Sequence, residues 1–247
     1  MHKKVSILGV NVSALDLDSA CQIIEGWVAA RYKAYVCVAP VSTIVDCQNN
    51  SAYKDIVNAA DMVTPDGMPL VWLLKAKGCS DAGRVYGPDL MAALCQREGL
   101  RHYFFGSTPD VLSRLDQCLK KDTPYINITG MVSPPFRFDV GLEDAKVIAA
   151  INEAKPDVLW IGLGSPKQDF WMHRHRGCLD APVMIGVGAA FDFVSGMKRQ
   201  APRWMRQAGL EWLFRFLSEP GRLWKRYLIG NSVFIYYLLK DILRGRV

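Results

Sequence analysis

Aspartate 66 stands between Pro65 and Gly67, after a short apolar strand and before a helical stretch. A carboxylate in that place projects into the cleft at the strand ends, where it can accept a proton from a hydroxyl. The same residue also suits an Asx-type turn or the cap of the following helix. The sequence leaves both readings open.

Two neighbouring segments carry a second kind of chemistry. Pro156–Gln168 and Ala181–Asp192 each run from an apolar strand into a glycine-bearing turn. Gly164 and Gly188 let backbone come close to a ligand, and Lys167, Gln168 and Asp192 supply polar side chains. Lys167 and Gln168 lie near a helix start, where orphan N–H groups and the helix dipole favour an anion. Together the turns predict a site for the diphosphate of a nucleotide. Gly162-Leu-Gly164 and Gly186-Val-Gly188 match a dinucleotide fingerprint poorly, because its third glycine position holds Lys167 or Phe191.

Other pairings are weaker. Asp16-x-Asp18 has the form of a metal-holding acidic motif, yet two acidic residues also complement the start of a helix. His173 and His175 lack the i,i+4 spacing of a helical metal pair and read as surface side chains. No Gly-x-Ser-x-Gly, Walker loop or Cys-x-x-Cys is present, so nothing in the residues calls for a metal or a cofactor.

The elements that position these residues follow from periodicity. Strands are predicted at Val5–Val10, Tyr35–Ala39, Asp61–Thr64, His102–Phe105, Tyr125–Ile128, Val158–Leu163 and Val183–Val187. Helices are predicted from Asp16 to about Arg31 with Asp18 as N-cap, then at 51–60, 69–76, 88–96, 109–120 and 143–154. A loop is expected over Gly130–Gly141. Continuous apolar strands alternating with helices predict an α/β fold, a Rossmann-like parallel sheet with helices on both faces. In such sheets ligands bind at the carboxyl ends of the strands.

After Asp192 the strands stop. Pro202–Leu217, Gly221–Leu228 and Ser232–Leu243 read as helices, which places a boundary near Gly196. The expectation is an α/β core over 1–195 and a helical, basic C-terminal appendage over 196–247. Of the net charge of +6, residues 198–247 carry eleven Lys/Arg against three acidic residues, and the rest of the chain is at −2. Trp212, Trp224, Tyr227 and the apolar Val233–Leu239 lie among these cations, with Arg215, Arg222 and Arg226 at spacings of seven and four. A basic, aromatic, apolar helix suits an anionic membrane surface. The alternative is that the apolar positions pack on the core and the arginines are solvated. No nucleic-acid recognition module is visible.

With 50% hydrophobic and 22% charged residues, the 247-residue chain is globular and long enough for a substantial core. Seven scattered cysteines, odd in number, read as reduced core residues of a cytosolic protein. No secretory signal is evident, and no stretch reaches the ~20 apolar residues of a membrane span.

Read together, the motifs resemble the WecG/TagA/CpsF glycosyltransferases (family 26) across nearly the full length. The resemblance rests on Ala59-Ala-Asp61 leading to Pro65-Asp-Gly67, Arg84-Val, Gly87-x-Asp89-Leu90 and Gly162-Leu-Gly-Ser-Pro-Lys-Gln168. It continues in Gly186-Val-Gly188 with Phe191-Asp192, Lys198-Arg with Ala201-Pro202, Leu210-Glu-Trp212, Arg215 and Glu219-Pro220.

The resemblance implies an inverting, metal-independent transfer of a sugar from a UDP-sugar donor to a polyprenyl-diphosphate-linked sugar. The reaction would belong to cell-surface polysaccharide synthesis of exopolysaccharide, capsule or teichoic acid type, on a protein peripheral to the cytoplasmic face of the cell membrane. It implies Asp66 as catalytic base, Gln168 and Asp192 as nucleotide contacts, and Arg84 as a pocket residue. Arg215 and Arg222 match the family's tail arginines, proposed to close over the site and hold the lipid diphosphate. The third such arginine is Lys225 here, with Arg226 beside it. Three segments depart from the pattern: Val38-Ala-Pro40 replaces Thr-x-Asn, Gly87-Pro-Asp-Leu90 replaces Gly-Ser-Asp-Leu, and Pro134-Pro-Phe136 replaces Gly-Tyr-Phe. In the first, the polar groups of Thr-x-Asn have no counterpart unless Ser42 supplies one. The transferred sugar, the acceptor sugar and any homo-oligomer stay open. The competing readings are a Rossmann-type oxidoreductase or epimerase acting on nucleotide sugars, and a non-catalytic membrane-surface module.

Overall fold

The computed structural model describes residues 2–134 and 142–244, without the side chains of 142–144, 203, 207, 222, 225 and 226. Among the described residues the strands are β1 Lys4–Ile7, β2 Val10–Ser13, β3 Ala34–Ala39, β4 Met62–Pro65, β5 Arg101–Gly106, β6 Asn127–Val132, β7 Val158–Gly162 and β8 Val183–Gly186. β1 and β2 form an antiparallel pair, and the other six form one sheet in the order β4-β3-β8-β7-β5-β6. The neighbours β3–β8, β8–β7, β7–β5 and β5–β6 are parallel. Every residue of β3 and β8 is buried, as is most of β7, so both faces of these strands are covered. That is why they read as unbroken apolar runs. The α/β, Rossmann-like expectation holds.

The chain groups into two compact units. One comprises Met1–Asp16, Val38–Tyr86 and Gln200–Val247, and the other Leu17–Cys37 and Gly87–Arg199. Residues 200–247 thus group with the segment that carries Asp66.

Several expected elements shift, each for a physical reason. The predicted strand Val5–Val10 is a hairpin, in which Ile7 faces Val10 across the two-residue turn Leu8-Gly9. Leu8 and Gly9 have φ of 51° and 77°, the pairing that a tight hairpin turn demands. Leucine there carries no turn signal, so the reversal is invisible in sequence. The expected Tyr125–Ile128 strand becomes β6 and runs through Gly130 into the predicted loop. Gly130 is not a breaker: a Cβ there would meet the Tyr103 ring of β5, so the glycine admits a neighbouring side chain. Residues 135–141 of the loop, Pro135 and Phe136 among them, lie outside the described residues. Asp18 falls in the first turn of the helix Leu17–Ala29 and not at its N-cap.

The single helix expected over Pro202–Leu217 is two, Arg203–Gln207 and Glu211–Ser218. They part at Gly209, whose Cβ would come 3.1 Å from Met68 Cβ and 3.2 Å from the Trp72 ring. The expected break at Gly230-Asn231 is absent, since a π-helical turn Lys225–Ile229 continues into the helix Gly230–Leu243. His175 is buried and its Nδ1 lies 2.8 Å from the Trp171 carbonyl, so it is a core residue, whereas His173 is exposed as expected. Five of the seven cysteines are buried, Cys118 is half-buried and Cys178 is exposed.

Candidate active site

In the first unit, β4 ends in Pro65 and delivers Asp66 to a turn braced from both sides. The Asp66 N–H donates to the Ala39 carbonyl at 3.2 Å, and Val85 N–H donates to the Pro65 carbonyl at 3.0 Å. The helix Met68–Ala76 follows, with Gly67 at its N-cap and no side chain capping it. Asp66 directly precedes that N-cap residue. Its half-buried side chain lines a cleft of about 760 Å³.

Part of the lining of that cleft is charged. Arg84 Nε donates to the Asp66 carbonyl at 2.5 Å, and its Nη2 donates to Glu211 Oε2 at 2.5 Å. The guanidinium also lies over the Tyr86 ring, 4.1 Å from its centroid. Side-chain exposure is only 16% for Arg84 and 11% for Glu211, so this is a desolvated ion pair. Burial works against the Arg84 charge, but the carboxylates of Asp66 and Glu211 outweigh it and raise its pKa. Burial, then the same two carboxylates, push the Tyr86 phenol well above its usual range and keep it protonated, while Arg215 pulls the other way. Arg206 and Arg215 line the cleft too. The apolar part of the lining includes Trp72, Leu73, Phe234, Ile235 and Leu238. Ser42 also lines it, beside Pro40 and Val41.

The second unit holds the glycine turns. Gln168 is 2% exposed, and its Oε1 accepts from Gly164 N–H at 3.1 Å and from Gly188 N–H at 3.0 Å. Its Nε2 donates to Ser165 Oγ at 3.3 Å. One amide side chain thereby ties the ends of β7 and β8 together. Gly164 and Gly188 need glycine for their backbone, with φ of 78° and 54°. Gly162 and Gly186 need it for room, against Phe191 and against Met172 and Gln168. Lys167 is exposed at the start of the helix Lys167–His175, and Asp192 is half-buried in the helix Ala190–Val194.

The structure thus brings Asp66, Arg84 and Arg215 into one cleft, and Gly164, Gln168 and Gly188 into one cluster of turns. The side chains of Arg222, Lys225 and Arg226 lie outside the described residues. Sequence reasoning missed Glu211 and Tyr86. Leu210-Glu-Trp212 stands out in sequence only as a stretch, since a glutamate opening a helix reads as a dipole complement, and the fold shows it buried against Arg84.

The model of the glycosyl transferase WecG/TagA/CpsF family matches residues 5–247. The chain belongs to that family. It is accordingly a glycosyltransferase, and the oxidoreductase, epimerase and non-catalytic readings fall away. Among its relatives, the N-acetylglucosaminyldiphosphoundecaprenol N-acetyl-beta-D-mannosaminyltransferase of Bacillus spizizenii is 30% identical over 199 residues, covering 79% of this chain and 75% of the relative. The Staphylococcus aureus (strain MW2) protein of the same name is 26% identical over 244 residues, covering 96% and 92%. No described helix is long and apolar enough to cross a membrane.

Proposed function

We propose that this glycosyltransferase moves a sugar from a UDP-sugar donor to a polyprenyl-diphosphate-linked sugar, with inversion, in the synthesis of a cell-surface polysaccharide. The cleft at Asp66 carries the reading. It pairs a carboxylate and several arginines with an apolar wall, which suits an acceptor built from a sugar, a diphosphate and a lipid. Related enzymes whose names specify a diphosphoundecaprenol acceptor support it.

In this reading Asp66 takes the proton of the acceptor hydroxyl, whose oxygen attacks the anomeric carbon of the donor sugar. The bond from that carbon to the UDP oxygen breaks, and UDP leaves with the electron pair. Arg84, Arg215 and Arg222, with Lys225 and Arg226, offset the charge on the two diphosphates. The donor's diphosphate rests on the turns at Gly164, Lys167, Gln168, Gly188 and Asp192.

The protein works as a peripheral enzyme on the inner face of the cell membrane. Leu228, Ile235, Leu239 and Ile242 are all more than half exposed and follow one another at helical spacing. Leu243 is 87% exposed beside them, and the surrounding segment is strongly cationic. An exposed apolar stripe edged with cations fits an anionic bilayer surface.

The test is a donor screen. Purified chain is given single UDP-sugars, UDP-N-acetylmannosamine among them, with a short polyprenyl-diphosphate-N-acetylglucosamine, and products are read by mass spectrometry. A disaccharide on the lipid diphosphate with release of UDP is expected. Transfer to no lipid-linked acceptor with any UDP-sugar would overturn the reading.

A further inference from the structure

Arg84 is held by three partners. Glu211 accepts from its Nη2, the Asp66 carbonyl accepts from its Nε, and Tyr86 covers a face. Glu211 is the odd member of this set. It sits in the last fifty residues, opens the helix Glu211–Ser218, and stands one turn before Arg215 on the same helix face. It faces inward, 8% exposed, where an unpaired carboxylate would be costly.

We infer that Glu211 is a positioning residue for transfer: by holding Arg84 it fixes the turn that presents Asp66 and joins that turn to the helix that carries Arg215. This rests on the reading of Asp66 as the base.

Two physical consequences follow from the geometry. The first is mechanical. Arg84 grips the carbonyl of the base residue itself, so its position sets where the Asp66 backbone lies. Small displacements at a reacting centre cost heavily. The second is electrostatic. Arg84 has two carboxylates within reach of its field, those of Asp66 and Glu211. Glu211 accepts the hydrogen bond of Nη2 and balances much of the cation's charge. Without it, the pull of Arg84 falls on the Asp66 carboxylate alone, and a carboxylate held more strongly by a cation is a poorer proton acceptor. Docking of the helix Glu211–Ser218 and readiness of the base become one event, because the same glutamate serves both.

The experiment uses the full chain and compares Glu211→Gln, Glu211→Asp, Arg84→Gln and the double variant Glu211→Gln/Arg84→Gln. Turnover is measured with a short polyprenyl-diphosphate-N-acetylglucosamine, and amide hydrogen exchange is followed in the peptide spanning residues 62–67. Glu211→Gln should lower kcat on the order of 10- to 100-fold and leave the donor KM in place. Exchange at the Asp66 turn should quicken while the helix Gly230–Leu243 is unchanged. Glu211→Asp, which keeps the charge, should recover part of the turnover. The double variant should be no slower than Arg84→Gln alone, because Glu211 acts only through Arg84.

Additive losses, or wild-type turnover and exchange in Glu211→Gln, would overturn the inference. Should Arg84→Gln not fold, Arg84→Lys takes its place, since it keeps the charge but lacks the fork that spans both partners. A wild-type chain that transfers nothing would sink the functional reading and leave the exchange result to judge the clamp.

Discussion

The ring of Phe191 occupies the space where a side chain at position 162 would go: a Cβ on Gly162 would come within 2.8 Å of two of its ring atoms. Phe191 is fully buried and stacks edge-on against Phe104 at 5.7 Å, so it has nowhere to retreat. Gly162 is therefore a packing residue at the end of β7, two positions before the glycine that shapes the turn. Gly162→Ala should destabilise the chain by about 1–3 kcal/mol, the usual cost of overpacking. Urea unfolding is the measurement, and an unchanged midpoint would show that the ring yields.

That contrast shows what the sequence could reveal. The parallel sheet was legible because strands buried on both faces leave long apolar runs, as Val158–Ile161 and Val183–Ile185 do. Asp66 was legible because proline before it and glycine after it mark a strand end. Less legible were features set by residues distant in the chain. The roles of Gly162 and Gly164 look alike in sequence and differ only through Phe191. The Leu8-Gly9 turn depends on a leucine in a conformation it rarely takes. Glu211 is separated from Arg84 by 127 positions, and nothing local to either foretells the pair.

Asp66→Asn keeps the shape of the side chain and removes its basicity. Turnover should fall on the order of 100-fold or more, with binding of UDP by calorimetry nearly unchanged. Full turnover in the variant would take the base role away from Asp66.

Gln168→Ala deletes one acceptor that two backbone N–H groups share, those of Gly164 and Gly188. Both glycines are half-buried, so the loss should fall below the ~1–3 kcal/mol of a fully buried unsatisfied donor, and both turns lose their common brace. The donor KM should rise while the rate at saturating donor falls less. A variant with unaltered melting and unaltered donor KM would show that the turns hold themselves.

His102 gives the stability a pH dependence. It is fully buried, its Nδ1 accepts from Trp160 Nε1 at 3.2 Å, and burial lowers its pKa from 6.5 to about 4 despite the opposing pull of Asp157. Above pH 6.5 the imidazole is neutral in folded and unfolded chains alike, and its contribution is constant. Between pH 6.5 and 4 the unfolded chain binds a proton that the folded one resists, so stability falls as pH falls, by about 3 kcal/mol in all. Asp157 adds a further loss at lower pH: burial alone would raise its pKa, but the hydrogen bonds and charge of Arg101 outweigh it and hold the pKa below the usual value. Urea midpoints from pH 7 to 4.5 should therefore decline in the parent, and His102→Asn should flatten that slope.

The exposed stripe of the last helix makes the final prediction. Leu239 is 55% exposed and Leu243 87% exposed, while Phe234 of the same helix is buried. A side chain already packed in the fold would register in thermal stability, whereas one reserved for a bilayer would register only in partitioning. Leu239→Ser/Leu243→Ser should thus leave the melting temperature nearly unchanged and weaken sedimentation with phosphatidylglycerol vesicles on the order of 10-fold or more. High salt should weaken the parent's binding as well, since the surrounding cations act through a screened field. Equal sedimentation of parent and variant would mean that this face of the helix does not meet the membrane.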